Sequence, residues 1–342
     1  LTAPERAASA RSHAWTIGLG ILVSLGLLAW ATRNVDLADV GAQLRAARLA
    51  PLLAGVAIAT STFVMRAVRW GLFLNGPDGR PVPYLPRWHA TALGFMGNNL
   101  LPLRAGEFIR VFAITRLGGV RLTPAITSIV VERVLDLLAL LALTIVGLLV
   151  SGLPADATVA GVSMARIATI AGVVGSGALV VGVLMVARPQ WTEAALRRLL
   201  PDGALRARLI SIGHGVSDGL AMLRSPGRIA AVAAWSLALW VVNALSFRIM
   251  FDAFDIRAGF AGALLVQGAL VLGVSVPSTP GYVGPFEAAI VAVLALYGVP
   301  DAKAFSFALA YHASTFLPIV LLGIWSLVRT PLSLGDLRRA RE

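Results

Sequence analysis

Seven stretches of this chain, 14–31, 50–68, 123–150, 165–187, 229–250, 258–276 and 303–328, are predominantly apolar over 18 residues or more. A bilayer core of about 30 Å asks for about 20 apolar residues per spanning helix. The composition agrees, with 58% hydrophobic and 13% charged residues. A soluble domain carries about 45–50% and about 25%. The sequence therefore predicts an all-α integral membrane fold, a polytopic helical bundle forming one transmembrane unit over residues 1–342.

The charge that remains is lopsided. The net charge is +12, and the basic residues are 28 Arg and a single Lys, Lys303. In a membrane protein such an excess belongs first to cytoplasmic loops and anionic headgroups. No soluble basic domain is present to hold nucleic acid. Residues 1–13 are polar and basic, and no small-residue cleavage site follows the first apolar run, so that run is expected to be a retained span. Residues 188–228 carry seven Arg among Leu and Ala at helical spacing, which predicts an amphipathic segment on the cytoplasmic side. With both termini inside, the inner segments hold 21 Arg and the outer ones seven basic residues. That threefold bias sets the expected orientation.

Two shorter apolar runs, 88–103 and 284–297, are broken by Gly, Asn and Pro. Reading 88–103 as a hairpin entered from the cytoplasm, and 258–297 as one entered from outside, makes the halves 50–150 and 229–328 an inverted repeat. Each hairpin runs Pro, Gly, Glu: Pro102, Gly106 and Glu107 in the first, Pro280, Gly284 and Glu287 in the second. Each glutamate stands 16 residues before its next span, at Thr123 and Lys303. Paired Gly/Pro-broken segments in two halves point to a transporter site near the midplane. The expected fold is thus an inverted repeat with two re-entrant hairpins.

Candidate site residues cluster on these elements. In the first hairpin, Asn98 and Asn99 can satisfy freed backbone groups or bind a polar headgroup. Arg104 and Arg110 offer planar forks suited to phosphate oxygens. Glu132, Arg133 and Asp136 stand within one turn of the span 123–150 and share an arc of about 100°. A charge at the bilayer centre costs about 2.5–3.5 kcal/mol, so these three should face inward, paired with one another or with Arg104, Arg110 or Glu107. Pro280, Gly281 and Gly284 exclude a continuous helix at the second tip. His312 lies in an apolar span 25 residues after Glu287, as Glu132 lies 25 after Glu107. Its ordinary role is a hydrogen-bonded packing residue, and its alternative role is a proton relay.

Enzyme signatures are absent. There is no Cys, no HExxH and no phosphate loop ending in Gly-Lys-Ser/Thr. Neither a cofactor nor a metal is expected, and energy would come from an ion gradient, the membrane potential or lipid mass action.

The segments Asn98–Glu107, Val131–Asp136 and Pro277–Glu287, in this order, resemble the lysylphosphatidylglycerol synthase transmembrane-region family. This is the flippase-like membrane domain of MprF-type proteins, and the resemblance covers about 15–330. It implies a flippase that moves an anionic, aminoacylated or polyprenyl-linked lipid, and not an enzyme. Arg104, Arg110 and Arg133 would then engage the phosphate. Glu107, Glu132, Asp136 and Glu287 would position them or meet a cationic headgroup, and the two tips would be gates. MprF-type proteins also carry a soluble aminoacyltransferase domain, whereas this sequence ends 14 residues after its last span, so no synthase activity is inherited. The alternatives are a membrane enzyme acting on polyprenyl phosphate and a non-catalytic subunit of a lipid-modifying or glycosyl-transferring enzyme. The expected partners are a membrane lipid, a lipid-modifying enzyme and a second copy of the chain. The expected location is the cytoplasmic membrane, as a multi-pass protein.

The orientation is open to test at position 200. Leu200→Cys is expected to resist an impermeant thiol reagent in intact cells and to react once the membrane is opened. Labelling from outside would reverse the topology.

Overall fold

The computed structural model describes residues 20–76, 78–101, 105–154, 189–199, 226–274 and 279–333, with isolated residues and short pieces at 18, 158–159, 162–163, 166, 173, 177, 201–203, 206–207, 210 and 335–336. The helices are α1 (Gly20–Thr32), α2 (Leu37–Ala46), α3 (Leu49–Trp70), α4 (Tyr84–Leu100), α5 (Gly106–Gly118), α6 (Leu122–Val150), α7 (Pro189–Leu199), α8 (Pro226–Ala253), α9 (Gly259–Gly273), α10 (Pro285–Ala295) and α11 (Asp301–Val328). Strand pairing among the described residues is confined to Thr158–Val159 against Val162–Ser163 and a bridge from Asn75 to Pro81. The protein is an all-α polytopic membrane protein. The expected span 165–187 lies almost wholly outside the described residues, as does most of 188–228 beyond α7.

Among the described residues four helices, α3, α6, α8 and α11, are long and apolar enough to cross a bilayer. Only 33%, 28%, 39% and 28% of their most apolar windows are buried inside the protein. The remaining apolar surface, including Leu149, Val150, Leu321 and Val328, requires lipid against it. The described part of the first run is α1, and α2, which follows it, meets it at 78°. Asp36 sets the break, because its side chain accepts a hydrogen bond from Ala38 N at 2.8 Å and caps α2.

Between the long helices lie short ones. At about 1.5 Å per residue, none of α4, α5, α9 and α10 reaches the length of a bilayer core alone. The order long, short, short, long occurs twice, as α3–α6 and as α8–α11. The packing repeats as well: α4 lies on α5 and α11, while α9 lies on α10 and α6, and α3 and α8 form the most extensive helix pair. Two buried apolar clusters follow the same division. One includes Trp70, Leu93, Ile109 and Ile129, and the other Phe251, Val266, Ile290 and Phe307.

Glycines make the closest approaches. Gly55 lets α3 reach Met250 and the Ser246 carbonyl on α8. Gly94, Gly97 and Gly106 bring α4 and α5 into backbone contact, and a Cβ on Gly106 would stand 2.6 Å from Asn98 Oδ1 and closer still to Gly94 O. Gly119, at φ 65°, ends α5 in the left-handed conformation that a helix C-terminus favours. Gly284, at φ 97°, precedes Pro285 at the first position of α10.

Gly106→Ala should therefore cost about 1–3 kcal/mol of stability, the range for an overpacked interior, because the obstructing atoms include backbone that cannot rotate away. Gly41→Ala in α2, where the new Cβ meets nothing within 4 Å, should be neutral or stabilising by up to about 1 kcal/mol. Thermal unfolding of both variants in detergent measures the difference. Equal midpoints would contradict the close contact of α4 with α5.

Candidate functional site

Ionisable side chains from three helices meet in the interior. Arg66 and Arg69 stand three residues apart on α3, and Glu132 and Asp136 four apart on α6, so each pair shares a helix face. Arg69 Nη1 donates to Asp136 Oδ1 at 2.6 Å and to Ser236 Oγ of α8 at 3.0 Å, and its Nη2 lies 3.5 Å from Glu132 Oε1. Arg110 of α5 grips Glu132 with both terminal nitrogens, at 2.8 and 2.7 Å. Arg133 Nη2 donates to Glu132 Oε1 at 2.8 Å and lies 3.4 Å from Asp136 Oδ2, while Arg66 Nη1 stands 3.8 Å from the same oxygen. Four guanidinium groups thus surround two carboxylates. Their formal charge is +2, and the arrangement survives burial because each carboxylate is held by several donors at once.

Aromatic rings close the network. Trp70 lies 4.0 Å beneath the Arg110 guanidinium and donates to Ser128 Oγ at 3.0 Å. Trp240 of α8 donates to Asp136 Oδ1 at 3.0 Å and lies 5.2 Å from Arg66, which also sits over Phe95 at 5.0 Å. These rings attract the cations while keeping water out.

Beside the network is a cavity of about 450 Å³. Its charged and polar wall includes Arg66, Arg133, Asp136, Glu107, Asn98 and Asn99, and His312 faces it from α11. Asn98 Oδ1 is buried with no hydrogen-bond partner among the described residues. The rest of the wall is apolar or aromatic, with Leu140, Leu270, Phe286 and Ile319 among its members. A second cavity, of about 160 Å³, shares Arg66, Phe95, Leu270, Phe286, Thr315 and Ile319 with the first and continues past Phe63, Phe247 and Pro318.

The second Gly/Pro segment closes one side. A 3-10 turn, Pro280–Tyr282, carries Gly281 at φ 76° and Tyr282 at φ 60°. Tyr282 lines the cavity, and Gly281 lies against Asn99 O and Phe316. The turn thus packs on the end of α4. Thr279 is clasped by α1, its N donating to Ser24 Oγ at 3.0 Å and its Oγ1 standing 3.1 Å from the same hydroxyl. Glu287 Oε2 accepts from Gly284 N at 2.7 Å, and Oε1 is 2.6 Å from His312 Nδ1. The His312 ring stacks on Phe286 at 4.0 Å.

The site residues expected from sequence divide into three groups. Asn98, Asn99, Glu107, Arg133, Asp136 and His312 line the cavity. Arg110, Glu132 and Glu287 lie behind it, bonded to other side chains or backbone, so the two terminal nitrogens of Arg110 hold a carboxylate rather than facing the cavity. Pro280, Gly281 and Gly284 shape the turn, and Arg104 lies outside the described residues. Arg66 and Arg69 are two of the 21 Arg counted with the inner segments. Both sit inside α3, and their three-residue spacing was the signal that could have placed them on one inward face. With Arg110 they leave the loop count, so the inner total falls to 18 Arg against seven basic residues outside. Among the described residues, no three His, Asp or Glu side chains gather as a metal ion would need.

A polytopic helical membrane protein with an ionic cluster beside an internal cavity is the class these observations define. The chain belongs to the family described as the lysylphosphatidylglycerol synthase TM region, which it matches over residues 17–323. It is similar to a UPF0104 membrane protein of Methanothermobacter thermautotrophicus, 21% identical over 275 residues that cover 76% of this chain and 77% of that protein. It is also similar to the glycosyltransferase AglD of Haloferax volcanii, 27% identical over 348 residues. That match covers 93% of this chain and 55% of AglD, so the chain spans about half the length of that relative.

Removing one partner from a buried ion pair costs about 3–5 kcal/mol. Arg69→Ala and Arg110→Ala should lose stability on that scale. Arg133→Ala should lose less, since its side chain is 40% exposed and Glu132 keeps Arg110 and Arg69. Thermal unfolding in detergent checks the order; a larger loss for Arg133→Ala than for Arg110→Ala would refute it.

Proposed function

We propose that the protein moves the headgroup of an anionic, aminoacylated or polyprenyl-linked lipid across the bilayer, in the manner of a flippase. The observation that carries this reading is a pair of adjacent cavities with shared lining residues. One end offers Arg66, Arg133 and unpaired amide oxygen, and the other offers a wall of Phe, Leu and Ile. A lipid has the same two-part chemistry. Arginine suits the polar end because its planar fork binds phosphate oxygens while staying charged in a poorly solvated site.

The short helices fit the role. We read α4–α5 and α9–α10 as re-entrant hairpins of two inverted halves, whose irregular tips are tolerated at membrane depth because they line a cavity. The N-terminal turns of α5 and α10 then carry Glu107 and Phe286 to the cavity wall, bringing partial positive charge toward an anion. Both termini are assigned to the cytoplasm and the protein to the cytoplasmic membrane, on the remaining arginine bias.

A second reading draws on the relative named as a glycosyltransferase. On this reading the membrane unit presents a lipid-linked sugar to a glycosyl-transferring enzyme, or works on polyprenyl phosphate itself. Metal-dependent turnover of polyprenyl phosphate by purified protein in micelles would favour it.

Scrambling of fluorescent phosphatidylglycerol in proteoliposomes, scored with an impermeant quencher, tests the first reading. Wild-type protein should accelerate scrambling. Arg133→Ala should slow it about tenfold or more, in line with the loss of a charge-assisted hydrogen bond of about 1.5–3 kcal/mol. Pro280→Ala combined with Gly281→Ala should slow it by letting the turn become helical. Wild-type inactivity toward phosphatidylglycerol and polyprenyl phosphate alike would sink the flippase reading.

A further inference from the structure

The ionic network does not use Glu287 and His312, yet this pair opens on the same cavity. Both carboxylate oxygens of Glu287 act as acceptors, Oε2 from Gly284 N at 2.7 Å and Oε1 from His312 Nδ1 at 2.6 Å. That assigns the Nδ1 proton to the bond with Glu287 and fixes the tautomer of the neutral ring. Nε2 is then the nitrogen with a free lone pair, and it has no hydrogen-bond partner among the described residues. The ring cannot easily turn away, because Phe286 stacks on one face and Phe316 meets it edge-on.

The charges around the ring give it a task. Facing the cavity are Arg66 from α3, Glu107 from α5, Arg133 and Asp136 from α6 and Tyr282 from the 3-10 turn, and Glu287 of α10 stands behind His312. Among the elements packed on α11, α4 presents Asn98 and Asn99 and α8 presents Trp240, all uncharged, and α2 reaches no part of the wall. Behind the wall are Arg69, Arg110 and Glu132. Among these described residues four arginines balance four carboxylates, and a neutral His312 leaves that balance unchanged. A phosphodiester anion entering the cavity would bring an uncompensated negative charge into a poorly solvated interior, which is costly. One proton on His312 restores neutrality.

We propose that His312 is a proton-binding site of the lipid cavity, taking up one proton at Nε2 when an anionic headgroup enters and returning it when the headgroup leaves. Glu287 is the positioning residue that orients the ring and stabilises the imidazolium. The proton comes from water and no covalent bond to the lipid forms. This inference rests on the lipid reading above, and it would couple movement of an anionic lipid to a proton gradient.

Calorimetric titration of purified protein with dioctanoyl phosphatidylglycerol, in buffers of different ionisation enthalpy across about pH 6 to 9, counts the protons exchanged. Wild-type protein should take up about one proton per lipid on the alkaline side. Its affinity there should fall by up to about tenfold per pH unit, the slope of a one-proton linkage. His312→Asn should bind with no uptake and a flat pH profile. Glu287→Gln, which keeps one acceptor oxygen but loses the charge, should take up clearly less than one proton per lipid. Uptake unchanged in either variant, or none in wild type, overturns the proposal and leaves the lipid reading standing. Absence of phosphatidylglycerol binding to wild type overturns both. Equal uptake with inorganic phosphate alone would show that a free anion, not a lipid, is the coupled ligand, and would also overturn it.

Discussion

The pairing of Glu132 and Asp136 with four arginines is the constraint around which the rest of the fold is arranged. Two carboxylates cannot be left bare in an apolar interior, and α6 alone offers them only Arg133. The remaining donors come from α3 and α5, with Ser236 and Trp240 of α8 adding neutral ones. Four helices must therefore converge at one point. Hydrophobic burial cannot give that specificity among helices bathed in lipid, since the lipid tails are as apolar as their side chains. The ionic cluster fixes rotation and depth, and the glycines at positions 55, 94, 97 and 106 then set how closely the backbones approach.

The cavity follows from this arrangement. Arginine side chains drawn toward α6 leave Arg66 and Arg133 at the edge of the network rather than within it. The first turns of α5 and α10 bring Glu107 and Phe286 to the cavity, so the wall is made partly of helix termini. A polar recess against an apolar one is the consequence, and it is bounded on the second side by a turn that two residues with positive φ, Gly281 and Tyr282, make possible.

Much of this was legible from residues alone. The long apolar runs located α3, α6, α8 and α11 to within about three residues, because period and length report directly on burial in lipid. The triad Glu132, Arg133 and Asp136 announced an inward face, because charge at that depth has few alternatives. Arg66 and Arg69 were misplaced for a definite reason: an arginine at a span end is usually a snorkelling residue, and sequence does not say that the helix continues to Trp70 with both side chains turned inward. Arg110 looked like a ligand-binding fork, but whether a fork faces a cavity or a carboxylate depends on a contact 22 positions away. The bend between α1 and α2 was likewise hidden, although Asp36 had the residue type of a cap.

The clasp between Ser24 and Thr279 gives the first helix a mechanical meaning. Two hydrogen bonds tie α1 to the residue that opens the second turn, and Gly284 fits so closely under the Ser24 carbonyl that a methyl group would be excluded. The turn can shift by carrying α1 with it as a rigid strap, or by breaking both bonds at a combined cost of about 1–3 kcal/mol. In the second case the released turn is a minority species, from about 15% down to under about 1% across that range. An N-terminal helix that looks peripheral thus acts as a latch, setting how often the far side of the cavity comes free.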